Sequence, residues 1–343
     1  MKNLLITGGA GFIGVNAAAH FLSRGCRATL IDNLSRPGSR ENLRWLSSRG
    51  RPFKFVKADT SRDPAVLCRE ARGKDCVLHF AAQVAVTTSV TDPRLDFRSN
   101  ALGTFNVLEA VRRNAPRALF IYSSTNKVYG GMTEIKIIRK KNRYCYRDYP
   151  DGISEKQNLD FHSPYGCSKG CADQYVRDYS RIYGLRSVVF RQSCIYGYRQ
   201  FGVEDQGWVA WFALAAIFNK PVTIYGDGRQ VRDLLFITDL ISAYESAVNS
   251  PCAAGRIYNI GGGPRNTLSL LELVRMLEKR LRKKIKVRFA DWRPGDQPVY
   301  ISSIRKAEKE LHWRPRVSPP EGVERLVQWI NENKAIFFKG RRA

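Results

Sequence analysis

The chain has 343 residues, about twice the usual single-domain length, and its 43% apolar content supplies a sizeable core and excludes general disorder. No apolar stretch reaches the roughly 20 residues of a membrane helix, so no membrane insertion is expected; the apolar run in Met1 to Gly14 passes into a glycine motif where a leader would need its cleavage site. Fifty-seven Lys and Arg against 31 Asp and Glu leave a formal charge of +26, which fits a solvated basic surface or contact with nucleic acid or an anionic membrane face.

Taken in order, Asn3 to Thr7 predicts a strand, Gly11 to Arg24 a helix and Arg27 to Asp32 a second strand. Further strands are expected at Phe53 to Lys57, Cys76 to Phe80 and Ala118 to Tyr122, with helices at Pro64 to Arg72 and Phe97 to Asn114. A helix from Pro164 to Tyr183 leads into the strand Arg186 to Arg191. Repeated βα units predict an α/β fold with a parallel sheet covered on both faces. After Ile195 the rhythm breaks into short strands at Val222 to Tyr225, Val231 to Ile237 and Arg256 to Ile260, and helices at Leu268 to Leu281, Ile304 to His312 and Glu321 to Asn333. The organisation expected is a first domain over 1–194, with a strand near 232–260 returning to it, and a smaller interleaved lobe over 195–343. The basic charge gathers in Lys136 to Arg147, in Lys279 to Arg288 and in the tail residues Lys339, Arg341 and Arg342. The eight cysteines form no CxxC pair or metal-ligand spacing, which fits reduced thiols in a cytoplasm and no metal site.

The glycine turn Thr7-Gly8-Gly9-Ala10-Gly11-Phe12-Ile13-Gly14 follows the first strand and opens the first helix. Gly8, Gly11 and Gly14 allow a tight turn, a close backbone approach to a pyrophosphate and helix–strand packing, with Phe12 and Ile13 at the positive helix end. That context predicts a Rossmann-type, doubly wound sheet binding a dinucleotide. Asp32, ending the second strand with Asn33 beside it, accepts from ribose hydroxyls and repels a 2′-phosphate, which favours NAD, although Arg36 is close enough to soften the preference. Asp59 can hold the adenine amino group, and Ala81 and Gln83 end the fourth strand where small residues leave room for cofactor. His79 reads as a packed core histidine. Asn100 fits the cofactor site or a structural role bridging nearby backbone.

Tyr165 and Lys169 stand four apart at a helix start, on one face. An ammonium there and the helix end both lower a phenol's pKa, so a phenolate near neutral pH is expected. Ser123-Ser124-Thr125, about 40 residues earlier, adds a hydroxyl at the end of the fifth strand.

With the glycine turn, Thr125, Tyr165 and Lys169 in place, the chain resembles the extended short-chain dehydrogenase/reductases over nearly its whole length, and among them the nucleotide-sugar epimerases and dehydratases. The resemblance implies a seven-stranded sheet, tightly held NAD, and a homodimer or homotetramer built through two long helices. It also implies that Tyr165 takes a sugar hydroxyl proton as hydride leaves for NAD, that Lys169 binds the nicotinamide ribose, and that Thr125 bonds the reacting hydroxyl. Sugar 4,6-dehydratases carry an acidic pair after that hydroxyl; here Asn126 and Lys127 stand there, which argues against elimination and leaves 4-epimerases open.

The strings Ser123 to Gly130, Phe161 to Gly170 and Arg199 to Phe201 leading to Asp205-Gln206-Gly207-Trp208 look like the CDP-paratose 2-epimerase group. The basic stretch Ile135 to Arg147, expected as a loop near the active-site mouth, departs from it. That resemblance implies a CDP-sugar substrate, with Asn126, Gln206 and Trp208 in the pocket, Arg232 and Arg293 on the diphosphate, and Asp296 near the nucleoside ribose. A ketone at C4 does nothing for C2, and the type substrate has no 3-hydroxyl, so inversion at C2 needs oxidation at C2 itself. The alternatives are a UDP-sugar 4-epimerase and a non-catalytic NAD-binding protein with a basic face for nucleic acid.

Overall fold

Apolar side chains alternate along the first strands in step with the pleat. Leu4, Ile6, Leu30 and Leu78 pack into one hydrophobic cluster, and Leu5, Ile31 and Val77 into another. A sheet with both faces apolar must be covered on both sides. The computed structural model describes residues 2–293 and 295–338; Met1, Pro294 and the tail Lys339, Arg341 and Arg342 lie outside the described residues.

The chain runs β1 (Asn3–Thr7), α1 (Phe12–Ser23), β2 (Arg27–Asp32), α2 (Ser39–Ser48), β3 (Lys54–Lys57), α3 (Pro64–Ala71), β4 (Cys76–His79), α4 (Val86–Thr91), α5 (Pro93–Phe97), α6 (Gly103–Asn114) and β5 (Leu119–Thr125). It continues through β6 (Ile137–Arg139), β7 (Tyr144–Tyr146), α7 (Ser163–Tyr183), β8 (Ser187–Gln192), β9 (Cys194–Tyr196), α8 (Trp208–Ile217), β10 (Val222–Tyr225), β11 (Val231–Phe236), α9 (Ile237–Asn249) and β12 (Arg256–Ile260). It ends with β13 (Thr267–Ser269), α10 (Leu270–Leu281), β14 (Val287–Ala290), β15 (Val299–Tyr300), α11 (Arg305–Leu311), α12 (Pro319–Glu332) and α13 (Lys334–Phe338).

Seven strands form one parallel sheet in the order β12-β8-β5-β4-β1-β2-β3. The order reverses between β1 and β4, and the crevice at the carboxyl ends of those strands is where such sheets take ligands. A second sheet has β11 at its centre, flanked by β13, β15 and β9, while β10 and β14 make a separate pair. This is the Rossmann-type sheet expected, with a smaller C-terminal lobe.

The strand that returns to the main sheet near 232–260 is Arg256–Ile260, as expected, while Val231–Phe236 belongs to the second sheet. Two details differ from the sequence expectation. The basic stretch taken as a loop is an antiparallel hairpin, β6 with β7, docked on the lobe by the Tyr144 N–H to the Arg229 carbonyl at 2.9 Å and by Arg143 to Glu272 at 2.7 Å. Helices α2, α8 and α9 are not among the expected elements; α8, WVAWFALAAI, is apolar all round and so has no periodicity to read, whereas α9 buries Ile237, Leu240, Ile241 and Tyr244 at helical spacing. Among the described residues no helix is long and apolar enough to cross a membrane.

One buried ion pair ties the long helix to the sheet. Arg191 on β8 donates from Nε and Nη2 to the two oxygens of Asp173 on α7, at 3.0 and 2.9 Å, and Ser124 on β5 donates to the same carboxylate at 2.7 Å. Both charges are almost wholly buried, at 3% and 0% side-chain exposure. Breaking such a pair strands a charge in the interior at a cost of about 3–5 kcal/mol. Arg191→Met should therefore lose about that much stability in urea unfolding, and adding Asp173→Leu should recover part of it; additive losses would show the two side chains are not coupled.

Candidate active site

The cradle at the sheet crevice is made by backbone. Gly8 has φ +65°, and a Cβ there would lie 2.7 Å from the Ala81 nitrogen, so the ends of β1 and β4 approach too closely for a side chain. A Cβ on Gly14 would come within 2.1 Å of the Gly8 carbonyl oxygen, so only glycine lets α1 pack on the turn. Gly11 caps α1 with no side-chain bond and the first turn carries no acid, leaving the N–H groups that follow, from Phe12 to Gly14, to face an anion. Asp32 accepts from the Ala10 N–H at 3.0 Å and the Leu34 N–H at 2.7 Å. Burial pushes its carboxyl up, against those backbone bonds. This donor and acceptor set fits a dinucleotide diphosphate and its ribose.

Asn33 donates to Asp59 at 2.8 Å and accepts from the Ser35 N–H at 3.0 Å. Burial works to raise the Asp59 carboxyl, yet bonds from Ser61 and Asn33 and the charge of Arg62 bring it below its usual range. Gln83 and Asn100 lie within a buried polar network. Asn100 accepts from the Gln83 N–H at 2.9 Å and donates to Asp96 at 3.0 Å and Ser168 at 3.1 Å. The Gln83 amide bonds Ala85 and Asp96. Both side chains are therefore committed to holding the end of β4 against α7, and what they offer a cofactor is position. His79 is buried between Thr7 at 2.6 Å and Thr104 at 2.9 Å, and burial with the Lys169 charge drops its pKa to about 3. It is a neutral core residue.

Thr125, Tyr165 and Lys169 come together at the end of β5 and the start of α7. Burial raises the Tyr165 phenol to about 12, while its bond with Thr125 and the charge of Arg36 pull the other way. Lys169 donates to the Ser123 carbonyl at 2.5 Å and sits 4.3 Å over the Tyr122 ring. Burial lowers its ammonium to about 7 against the support of Asp173 and Asp96. Arg36 is thus one cation whose charge favours the Tyr165 phenolate. Arg36 also donates to Gln206 at 2.8 Å.

Residues from the smaller lobe meet the segment after β5. Arg232 donates to Asp296 at 2.6 Å. Asn126 donates to Gln297 at 3.3 Å, which joins the end of β5 to the 295–297 loop. Trp208, at the start of α8, donates to the Cys194 sulfur at 3.3 Å. Arg293 lies 3.8 Å over the Tyr225 ring and donates to Asp205 at 3.0 Å, at the outer edge of the group. Sequence reasoning passed over Lys127, whose amine reaches the Gly295 carbonyl at 3.3 Å and lies 3.9 Å from Asp296. Its signal was present in the position after Thr125, read only as the absence of an acid.

The chain matches the family model described as GDP-mannose 4,6 dehydratase over residues 5–326. It is 47% identical over 338 residues to the CDP-paratose 2-epimerase of Salmonella typhi, covering 96% of this chain and 99% of that one. The dTDP-glucose 4,6-dehydratase of Streptomyces venezuelae with NAD bound superposes at a TM-score of 0.85 and 30% identity, covering 97% and 98% of the two chains. The UDP-glucose 4-epimerase of Thermus thermophilus in complex with NAD does so at 0.81 and 31%, covering 96% and 99%. NAD is the cofactor that this cradle fits and that the two solved relatives hold. The chain belongs to the nucleotide-sugar epimerase and dehydratase branch of the extended short-chain dehydrogenase/reductases and is an NAD-binding enzyme of that family.

Proposed function

We propose that the enzyme is a nucleotide-sugar 2-epimerase that inverts C2 of a CDP-hexose. The observation that carries this reading is the pair after Thr125. Asn126 is an amide bonded to Gln297, and Lys127 is an amine beside Asp296. Elimination of water needs carboxylates to move protons at these positions, and an epimerase does not. The extent of identity with the Salmonella typhi CDP-paratose 2-epimerase supports the choice of carbon and base.

A bound NAD supplies reversible two-electron oxidation of a carbinol carbon, held by the glycine turn, Asp32 and Lys169. Tyr165 as phenolate takes the proton of the C2 hydroxyl, and Thr125 fixes that hydroxyl by a hydrogen bond. The C2 ketone is planar, so once the sugar turns within the pocket, Tyr165 returns its proton on the opposite configuration. Arg232 and Arg293 keep the diphosphate in place, two oxygens to a guanidinium fork, while the sugar turns. No external reductant is consumed.

Exposed rings on α6 and α7, including Phe105, Tyr175 and Tyr183, support assembly of a homodimer or homotetramer through these helices, in a cytoplasmic enzyme. Phe105→Asp should convert the assembly to monomers, read by light scattering on a sizing column; an unchanged mass would place the interface elsewhere.

Proton NMR of the enzyme incubated with CDP-paratose, CDP-glucose and UDP-glucose should show C2 inversion of a CDP-sugar without NADH accumulating in solution. Inversion at C4 of UDP-glucose alone would establish a 4-epimerase instead. With the phenol raised to about 12, little phenolate exists at neutral pH, so kcat should climb with pH through neutrality and level off only as the pH nears about 12. Tyr165→Phe should lower kcat by about 10²–10⁴-fold. Arg36→Met removes a charge that favours the phenolate and should move the rising limb to higher pH; an unmoved limb would show that Arg36 does not tune Tyr165.

A further inference from the structure

Arg232, from β11, and Lys127, from the turn after β5, reach the same carboxylate oxygen of Asp296, at 2.6 and 3.9 Å. Their side chains are 10% and 20% exposed. The charged and titratable groups bearing on Lys127 are Arg232 from β11, Asp296 from the 295–297 loop and Cys194 from β9. Burial raises the Cys194 thiol, so it adds no negative charge. Two cations thus share one anion in a largely dehydrated pocket. Uncompensated buried charge is costly, and the cost falls when a ligand brings a second anion. Burial and the neighbouring Arg232 lower Lys127 to about 8 against the pull of Asp296.

We propose that Lys127 is a substrate-binding residue whose ammonium joins Arg232 on the sugar-proximal phosphate of the nucleotide diphosphate, with Asp296 holding both cations in position. This rests on the nucleotide-sugar reading and adds a phosphate ligand to it. The amine sits two residues after Thr125, so it links the diphosphate to the reacting end of the pocket. It also acts as the pivot: a phosphate held by a lysine and an arginine from two separate segments stays fixed while the sugar turns about its bond to that phosphate.

The test is calorimetric titration of the NAD-loaded enzyme with CDP and with CMP, which lacks the second phosphate. The wild type should bind CDP the tighter, and its affinity for CDP should fall as the pH passes about 8, since the neutral amine no longer pairs with phosphate. Lys127→Met should weaken CDP about ten- to a hundredfold, leave CMP unchanged and abolish the fall near pH 8. Lys127→Arg should restore most of the affinity for CDP, and Lys127→Gln serves as the neutral variant if methionine is not tolerated. Equal losses for CDP and CMP, or no loss for either, would overturn the proposal and leave Lys127 as a tether of the Gly295 loop. The same pattern with UDP and UMP in place of the cytidine pair would sustain it and correct the base. Binding of no nucleoside diphosphate at all would bring down the nucleotide-sugar reading itself.

Discussion

The carboxylate of Asp173 holds the catalytic end of this molecule together. It sits one turn beyond Lys169 on α7, receives Arg191 from β8 and Ser124 from β5, and bears on the charge of Lys169. A parallel sheet leaves the carboxyl ends of its strands open, and a helix packed on its face has to be pinned if side chains at its start are to face a cofactor at a defined height. Asp173 does this with a charge, and the same charge opposes the desolvation of the lysine. Arg191 extends the tie to the 3-10 turn after β5 by donating to the Tyr129 hydroxyl at 3.2 Å. The segment carrying Asn126 and Lys127 is in this way braced from below.

Burial sets the electrostatic character of the pocket. It pushes Tyr165 up and both Lys169 and Lys127 down, so each group is shifted toward its neutral form. A site in that condition responds strongly to any fixed charge placed in it, because the dielectric is low and there is little water to screen. The counter-charges are few: Asp96 and Asp173 for Lys169, and Asp296 for Lys127 and Arg232. A ligand carrying phosphates would add negative charge to such a site.

Much of this is legible in the linear chain. The glycine turn, the acid ending β2 and the Tyr-x-x-x-Lys spacing all depend on neighbours within a few residues, where helix and strand geometry alone dictate which groups meet. The tightness at Gly8 and Gly14 is of this kind, although the clash distances against Ala81 and Gly8 required coordinates. Helix α8 shows the converse. A helix buried on all sides has no polar face to mark its period, and Trp208–Ile217 is one.

The sequence by itself determined the sheet-forming alternation, the dinucleotide cradle, the hydroxyl–phenol–amine set and the absence of carboxylates after Thr125, because each is a short-range pattern. Only the tertiary structure decided which charges face one another. Arg36 meets Gln206 across 170 residues of chain, and Asn126 meets Gln297 across 171. The contact of Lys127 with the Gly295 loop and the sharing of Asp296 with Arg232 are likewise long-range. Such pairings follow from the order in which strands assemble and from the path of loops between two lobes. Local preference carries no information about either, and so the contacts of Arg36 and Lys127 become visible only once the chain is folded.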